Sequence, residues 1–296
     1  MDELNSETIA ALRKNGYVAD AELATALYLA EELGKPILIE GEAGVGKTEI
    51  AHVLAKLKNT ELIRLQCYEG LDFNSALYEW NYQKQILSVR LHELKNNLDV
   101  GIADFYSEEY LSYRPISKAL MADQRVVLLL DEIDRADEEF EALLLETLAE
   151  YQLTIPELGS VTAKHIPYII LTSNRTRELS DALRRRCLYL WMDYPSYAKE
   201  LEVIQLKVPN LNPELAAQAT QFVQALREQD LNKVPGLSEA VDWTTALQAT
   251  GATVVDRKAV ENTLGCLLKD RRDIKKLKEE ALDPLLERVA DDGRQV

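Results

Sequence analysis

Gly41-Glu42-Ala43-Gly44-Val45-Gly46-Lys47-Thr48 follows the apolar run Pro36-Ile37-Leu38-Ile39 and precedes Glu49-Ile50-Ala51-His52-Val53-Leu54-Ala55-Lys56-Leu57. The first reads as a buried strand and the last as an amphipathic helix. The octet between them is G-x-x-x-x-G-K-[ST], and strand, glycine loop, helix is the context that gives this pattern its meaning. Glycine at 41, 44 and 46 lets the backbone turn its amides inward around phosphate oxygens, where a Cβ would intrude. The helix N-terminus adds partial positive charge. Lys47 is placed to reach the terminal phosphates of a nucleoside triphosphate, and the Thr48 hydroxyl to hold Mg²⁺. Residues 41–49 are therefore the expected ATP-contacting segment.

Working outward, Arg125-Val126-Val127-Leu128-Leu129-Leu130 is the strongest strand in the chain. It is apolar throughout, as a strand covered on both faces should be. Asp131-Glu132 follow it directly. Acidic residues at the exit of a buried strand, downstream of a phosphate loop, form a Walker B pattern: Asp131 for Mg²⁺ and Glu132 as general base toward water. Taken alone the same residues would serve as a helix start. Thr172-Ser173-Asn174 end the next strand, where the neutral amide of Asn174 can bond both a γ-phosphate and the attacking water, or cap a turn. Arg184-Arg185-Arg186 stand together before Cys187. They read as a source of a guanidinium presented to a neighbouring subunit, or as a basic turn paired with acids.

Composition bounds these readings. The 296 residues are 47% hydrophobic and carry a formal charge of −16. Such acidity disfavours non-specific binding to nucleic acid or to anionic membrane, because both require a basic surface. The excess of acid is concentrated before about residue 195. Cys67, Cys187 and Cys266 are too few and too scattered for a disulfide framework or a zinc site. His52, His92 and His165 have no partners at ligand spacing. No apolar run approaches the roughly 18 residues needed to span a bilayer. The acidic, polar start is unlike a secretory signal, so a cytoplasmic location is expected.

The remaining pattern gives the domain organisation. Residues 6–34 read as two helices broken at Asn15-Gly16, the second placing Leu23, Leu27 and Leu33 near one face. Strands are expected at 60–67, 125–130, 166–172 and 188–192, with helices at 83–95 and 137–151 and a hairpin at 153–155 and 161–164 turning through Glu157-Leu158-Gly159-Ser160. Alternating strands and helices imply a mostly parallel sheet with helices on both faces. After Tyr194-Pro195 the pattern is helical, with Ser196, Asn212-Pro213, Ser238 and Asp256 as start signals. The expected fold is an α/β phosphate-loop NTPase core, an αβα sandwich over residues 1–195, followed by a small all-helical lid over 196–296.

The order of these motifs resembles the AAA+ ATPases, and within them the MoxR-like branch. The resemblance runs from about Gly16 to the end. Its MoxR-like part rests on two inserts: one at about 70–95, beginning Leu71-Asp72-Phe73-Asn74-Ser75-Ala76-Leu77-Tyr78-Glu79-Trp80-Asn81-Tyr82, and the hairpin at 153–164. The resemblance implies a homo-oligomeric ring, usually a hexamer, with ATP and Mg²⁺ at subunit interfaces. It implies Asn174 as sensor 1 and Arg186, with Arg185 next, as the arginine acting in trans. Gly16-Tyr17-Val18 is similar to the segment that packs on adenine, and Gln66 to the polar residue that restrains Glu132. Members of this branch remodel or mature partner proteins, often beside a von Willebrand factor A domain partner. Many carry Ser-Pro-Arg at the start of a lid helix; here Gly236-Leu237-Ser238-Glu239 stands there without an arginine, which puts lid sensing in question. A nucleotide-gated scaffold with little turnover and a DNA-directed motor are the rival readings. The intact Glu132 weighs against the first and the acidity against the second. Tyr78, Trp80 and Tyr82 would share one side of an extended segment, facing a ring pore or packing on the core. The mixed-charge run 269–278 reads as a solvated helix face.

Overall fold

The computed structural model describes residues 2–94, 106–155 and 158–292. In chain order the elements are α1 (Asp2–Lys14), α2 (Ala21–Leu33), β1 (Ile37–Gly41), α3 (Lys47–Leu57), β2 (Leu62–Gln66), α4 (Phe73–Ala76), β3 (Tyr78–Trp80), α5 (Tyr82–Leu94), β4 (Leu111–Tyr113) and α6 (Pro115–Leu120). They continue with β5 (Val127–Asp131), α7 (Glu138–Glu150), β6 (Gln152–Ile155), β7 (Gly159–Thr162), β8 (Tyr168–Ser173), α8 (Asp181–Arg186) and β9 (Leu188–Met192). The chain closes with α9 (Tyr197–Lys207), α10 (Pro213–Arg227), α11 (Leu237–Ala249), α12 (Arg257–Leu267), α13 (Arg271–Lys276) and α14 (Leu282–Asp292). Contacts divide it into two compact units. One joins Ala21–Glu40 with Ile50–Trp191; the other joins Met1–Asp20, Gly41–Glu49 and Met192–Val296.

The first unit is built on a five-stranded sheet of order β2-β5-β8-β1-β9, in which β2, β5, β8 and β1 run parallel. Val127 to Leu130 on β5 and Ile37 to Ile39 on β1 are each no more than 1% exposed. Helices cover both faces of these strands, which is why their sequence is apolar without alternation. On the edge strand β2 the alternation is plain: Ile63 and Leu65 are buried, and Arg64 and Gln66 face out. The Asp137 carboxylate caps α7 by accepting from the Phe140 amide at 2.9 Å. Phe140, Leu144 and Leu148 then enter the core along one face. The hairpin β6–β7 forms in the expected place, pairing Leu153 with Val161. Glu157 of its expected turn lies outside the described residues.

Two readings of this unit need correction. Leu33 does not share the buried face of Leu23 and Leu27; it is 56% exposed. At about 100° per residue it lies roughly 80° round the helix from Leu23 and roughly 120° from Leu27, at the helix end. Nor do the three aromatics of the insert share one side. Tyr78 and Trp80 sit on β3, buried and edge-on to one another, and β3 pairs antiparallel with β4. Tyr82 begins α5 and is 60% exposed. The packing alternative therefore holds for the first two. The expected helix 83–95 is α5, whose last expected residue, Lys95, lies outside the described residues. The side chains of Phe73 and Asn74 lie outside them too.

In the second unit α9–α14 share a core centred on Trp243, Phe222, Leu226 and Leu247. Trp243 satisfies its buried Nε1–H by donating to the Thr263 hydroxyl at 2.8 Å, and its ring lies 5.2 Å from that of Phe222. The expected caps Ser196, Asn212 and Asp256 each accept a backbone N–H in the first turn of their helices. Ser238 does not cap. α11 starts two residues earlier from extended Gly236, whose N–H donates to the Glu239 carboxylate at 3.1 Å. That is the acidic half of a capping box, which frees Ser238 to become a helical residue.

Asp273 on α13 is 1% exposed and ties down the turn before α11. It accepts from the Asn232 amide N–H at 3.0 Å, the Asn232 Nδ2 at 2.7 Å and the Lys233 N–H at 2.9 Å. Burial alone would raise its pKa, but these donors together with Arg272 hold it below the usual carboxylate range. A depressed native pKa adds stability above the unfolded value of about 3.9, and that stability is lost as pH falls through the native value. Asp273→Asn is expected to melt at a lower temperature than wild type at pH 7. The gap should narrow as pH drops below about 4; a gap constant from pH 7 to 3 would contradict this account.

Candidate nucleotide-binding and hydrolysis site

The phosphate loop belongs to the second unit, with the C-terminal helices. Gly41 must lack a side chain, because a Cβ there would overlap the Met192 carbonyl. Gly44, at φ +75°, lies against α11: a Cβ would come within 2.9 Å of Ser238 Oγ and 3.0 Å of Glu239 Oε2. The Ser238 N–H donates to the Gly44 carbonyl at 3.1 Å. So the stretch Gly236-Leu237-Ser238-Glu239, which has no arginine, is the one that touches the loop, and it brings a carboxylate there. Lys47 is 6% exposed and donates to the carbonyls of Gly41 at 2.7 Å and Glu42 at 2.6 Å. Val45 is buried; Glu42 and Ala43 are exposed; Thr48 and Glu49 are half-buried at the start of α3. Tyr17 is buried with its ring edge 4.0 Å from a Cβ position on Gly46, and Val18 beside it is half-buried. Burial, with the nearby charges of Asp20 and Glu49, pushes the Tyr17 hydroxyl well above its ordinary pKa, so it stays neutral.

The carboxylates belong to the first unit. Asp131 ends β5 and is 2% exposed. Its Oδ1 accepts from the Thr172 hydroxyl and its Oδ2 from Arg64 Nη2, each at 2.5 Å. Glu132 is half-buried and takes left-handed backbone angles, φ 55° and ψ 51°. A residue with a Cβ adopts that conformation at a cost of about 1–2 kcal/mol. It is held there by its N–H donating to Thr172 Oγ1 at 3.0 Å and by its carbonyl accepting from Arg135 N. The turn aims its carboxylate at three donors: Gln66 Nε2 at 2.9 Å, Arg135 Nε at 3.0 Å and Asn174 Nδ2 at 3.4 Å. Asn174 and Gln66, both expected from sequence, thus meet on Glu132. Arg64 and Arg135 were not expected. The signal for Arg64 was its two-residue spacing from Gln66, which places both on one face of a strand.

The arginine triplet divides. Arg184 is half-buried and pairs with the fully buried Glu40 at 2.7 Å, while Tyr189 donates to the same carboxylate at 3.0 Å. Arg185 and Arg186 are exposed at the end of α8, after the Ser180 cap. Cys67 follows β2, and burial with the charges of Asp131, Asp134 and Glu132 pushes its thiol up to about 12. It is an inert core thiol at neutral pH. Among the described residues no group of acidic, histidine and cysteine side chains makes a separate metal cage. None of the described helices is long and apolar enough to cross a membrane.

Each unit carries its own polar set. In one, a glycine loop at a helix start holds a buried ammonium beside a threonine hydroxyl, a set that suits the phosphates of a nucleotide. In the other, a buried carboxylate stands next to a restrained, partly solvated one. The sequence pattern of the AAA domain, dynein-related subfamily, matches residues 36–187, just over half of the chain. The chain belongs to this AAA family. Its AAA region runs from β1 through α8 and includes the phosphate loop and both carboxylates. Gas vesicle ATPase GvpN of Haloferax mediterranei is 24% identical over 238 residues, covering 76% of this chain and 64% of that protein. YeaC of Bacillus subtilis is 26% identical over 200 residues, covering 64% and 53%. The chain thus spans less than two thirds of the length of either relative. A RuvB variant from Thermotoga maritima is 18% identical with a TM-score of 0.50, over 91% of this chain and 80% of that one, and shares the fold.

Proposed function

We propose that this AAA protein is a Mg²⁺-dependent ATPase of MoxR type, working as a homo-oligomeric ring, a hexamer, that remodels or matures partner proteins. The observation that carries the reading is the split between two adjacent carboxylates at one strand end. Asp131 is buried and held by the Arg64 guanidinium and the Thr172 hydroxyl, as suits a metal-binding group. Glu132 is turned outward on a left-handed residue into amide and guanidinium donors, as suits a restrained base. Neighbouring carboxylates in different environments divide acid–base and charge-stabilising roles.

ATP with Mg²⁺, when bound, supplies the phosphoryl group and a charge-neutralising metal. Residues 41–49 bind the phosphates through the loop amides and Lys47, and Tyr17-Val18 line the base side. Thr48 and Asp131 hold Mg²⁺. Glu132 accepts the proton of the attacking water, and Asn174 orients that water. Arg186, with Arg185 as the alternative, reaches a neighbouring subunit, since both are exposed while Arg184 is committed to Glu40. Functionally, residues 1–195 act as the nucleotide-binding core, carrying the inserts at about 70–95 and 153–164, and residues 196–296 act as the lid. The client is a protein, engaged with a von Willebrand factor A domain partner in the cytoplasm. The likeness to gas vesicle ATPase GvpN supports the hydrolytic part of this reading.

The test is ATP turnover measured against protein concentration. Per-subunit activity should rise with concentration, and Arg186→Ala should flatten that rise while leaving single-subunit nucleotide binding intact. Wild-type turnover independent of concentration would defeat the shared-site mechanism. Nucleotide binding without turnover in any oligomeric state would favour a scaffold instead.

A further inference from the structure

Arg64 joins the two carboxylates of the site through one side chain. Arg64 and Gln66 project from the same face of the edge strand β2, and in the parallel register Gln66 lies opposite Asp131. The Arg64 guanidinium donates to Asp131 Oδ2 and also to Gln66 Oε1. Gln66 in turn donates through Nε2 to Glu132 Oε2 at 2.9 Å. An arginine can only donate and a carboxylate can only accept. The amide between them has one satisfied orientation, oxygen toward Arg64 and nitrogen toward Glu132. Arg64 therefore fixes which end of Gln66 the base sees.

We propose that Arg64 is a positioning residue that transmits the state of Asp131 to Glu132. While Arg64 is paired with Asp131, the Gln66 amide is pinned and Glu132 is restrained. When Asp131 instead engages Mg²⁺, Arg64 loses its anchor, the Gln66 amide is released, and Glu132 loses one of its three restraints, keeping those from Arg135 and Asn174. This rests on the reading of Asp131 as the Mg²⁺ residue.

Burial makes the exchange a competition. The Asp131 side chain is 3% exposed, whereas that of Arg64 is 47% exposed. A carboxylate this buried requires a cationic or hydrogen-bonded partner, while the arginine can return to water at little cost. Thr172 holds Oδ1 and Arg64 holds Oδ2, so the exchange of Arg64 for Mg²⁺ takes place at Oδ2. Two cations then compete for one oxygen, and the loser's release is what Gln66 reports.

The experiment is a Mg²⁺ titration of the full chain labelled with ¹⁵N-glutamine, with a non-hydrolysable ATP analogue present. The Gln66 side-chain amide signal is assigned by its loss in Gln66→Met, and analogue affinity is measured in parallel by fluorescence anisotropy. In wild type the Gln66 signal should move with Mg²⁺ plus analogue and stay fixed with analogue in EDTA. In Arg64→Met it should already sit near the Mg²⁺-loaded position without metal, and the Mg²⁺ midpoint should fall about tenfold, as expected when a charged hydrogen-bonding competitor is removed. Arg64→Lys, which restores a cation beside Asp131, should bring the midpoint back toward wild type. A Gln66 signal indifferent to Mg²⁺ in wild type, or an unchanged midpoint in folded Arg64→Met, overturns the proposal. Should Arg64→Met fail to fold, the wild-type titration and Arg64→Lys decide alone. Wild type that binds neither analogue nor Mg²⁺ would remove the ATPase reading itself. Binding with a stationary Gln66 removes only the role of Arg64.

Discussion

Glu132→Gln is expected to lower ATP turnover by about 10²–10⁴-fold, the usual contribution of a positioned general base, while nucleotide binding persists. The substitution keeps shape and removes the ability to take a proton. It also fits the surrounding donors with little disturbance. Gln66 Nε2 and Arg135 Nε both address Oε2, whereas Asn174 Nδ2 addresses Oε1 at the longer distance of 3.4 Å. The new amide should turn its oxygen toward the first two and its nitrogen toward Asn174, placing its one mismatch at the weakest contact. The left-handed backbone is held by Thr172 and Arg135 through the main chain, so it does not depend on the side chain. Turnover and nucleotide affinity measured on the same preparation separate chemistry from binding. Retention of turnover within a few fold would move the base elsewhere; loss of binding as well would make Glu132 a structural residue.

How much of this site sequence revealed depends on how local each feature is. The loop 41–48 is legible because its whole pattern lies within eight consecutive residues between a strand and a helix, although what Gly41 and Gly44 pack against, Met192 and the start of α11, is far away in sequence. β5 is legible because both its faces are covered, which leaves an uninterrupted apolar run. Asp131, Glu132 and Asn174 follow, since each sits at a strand end that the run marks. Arg64 was overlooked for the opposite reason. Its partner Asp131 lies 67 residues away in sequence, and an exposed arginine on an alternating edge strand carries no mark of the pairing. Strands β3 and β4 were unread on the same ground: each has three residues, and their pairing joins Tyr78 to Tyr113 across α5. Gly236 displaced Ser238 as the start of α11 because glutamate at the third helical position can satisfy the first backbone N–H itself. A serine signal read alone does not contain that information. Arg184, Arg185 and Arg186 are ranked in the sequence only by the family resemblance, and it is the pairing with buried Glu40 that sets the first apart.

Arg227→Met is expected to destabilise the helical unit by about 3–5 kcal/mol, the range for removing one member of a buried ion pair. Arg227 on α10 and Glu200 on α9 have side chains 7% and 0% exposed. The guanidinium meets the carboxylate with both ends, Nη1 to Oε2 at 2.8 Å and Nη2 to Oε1 at 2.6 Å. Its Nε donates to the Pro235 carbonyl at 2.9 Å, and its Cζ lies 4.9 Å from the centre of the Tyr194 ring. Without Arg227, Glu200 keeps one side-chain donor, Gln224 Nε2 at 2.7 Å, on Oε2 only. A carboxylate buried with Oε1 unpaired either loses solvation without compensation or takes up a proton, and both outcomes weaken the fold. Methionine matches much of the volume, so the loss is electrostatic and not a cavity. The double variant Arg227→Met, Glu200→Leu should therefore recover most of the stability, because apolar replacements for buried pairs are often neutral. Urea unfolding of the single and double variants decides the matter. A single-variant loss below about 1 kcal/mol would mean the pair behaves as a solvated surface bridge. The consequence also reaches the phosphate loop. Pro235 precedes Gly236, whose Cα lies 3.2 Å from a Cβ position on Gly44, so the guanidinium that neutralises Glu200 also fixes the start of α11 against that loop. The single variant should then bind nucleotide more weakly even at temperatures where it remains folded, while the double variant, which restores packing but not the bond to Pro235, should stay weak.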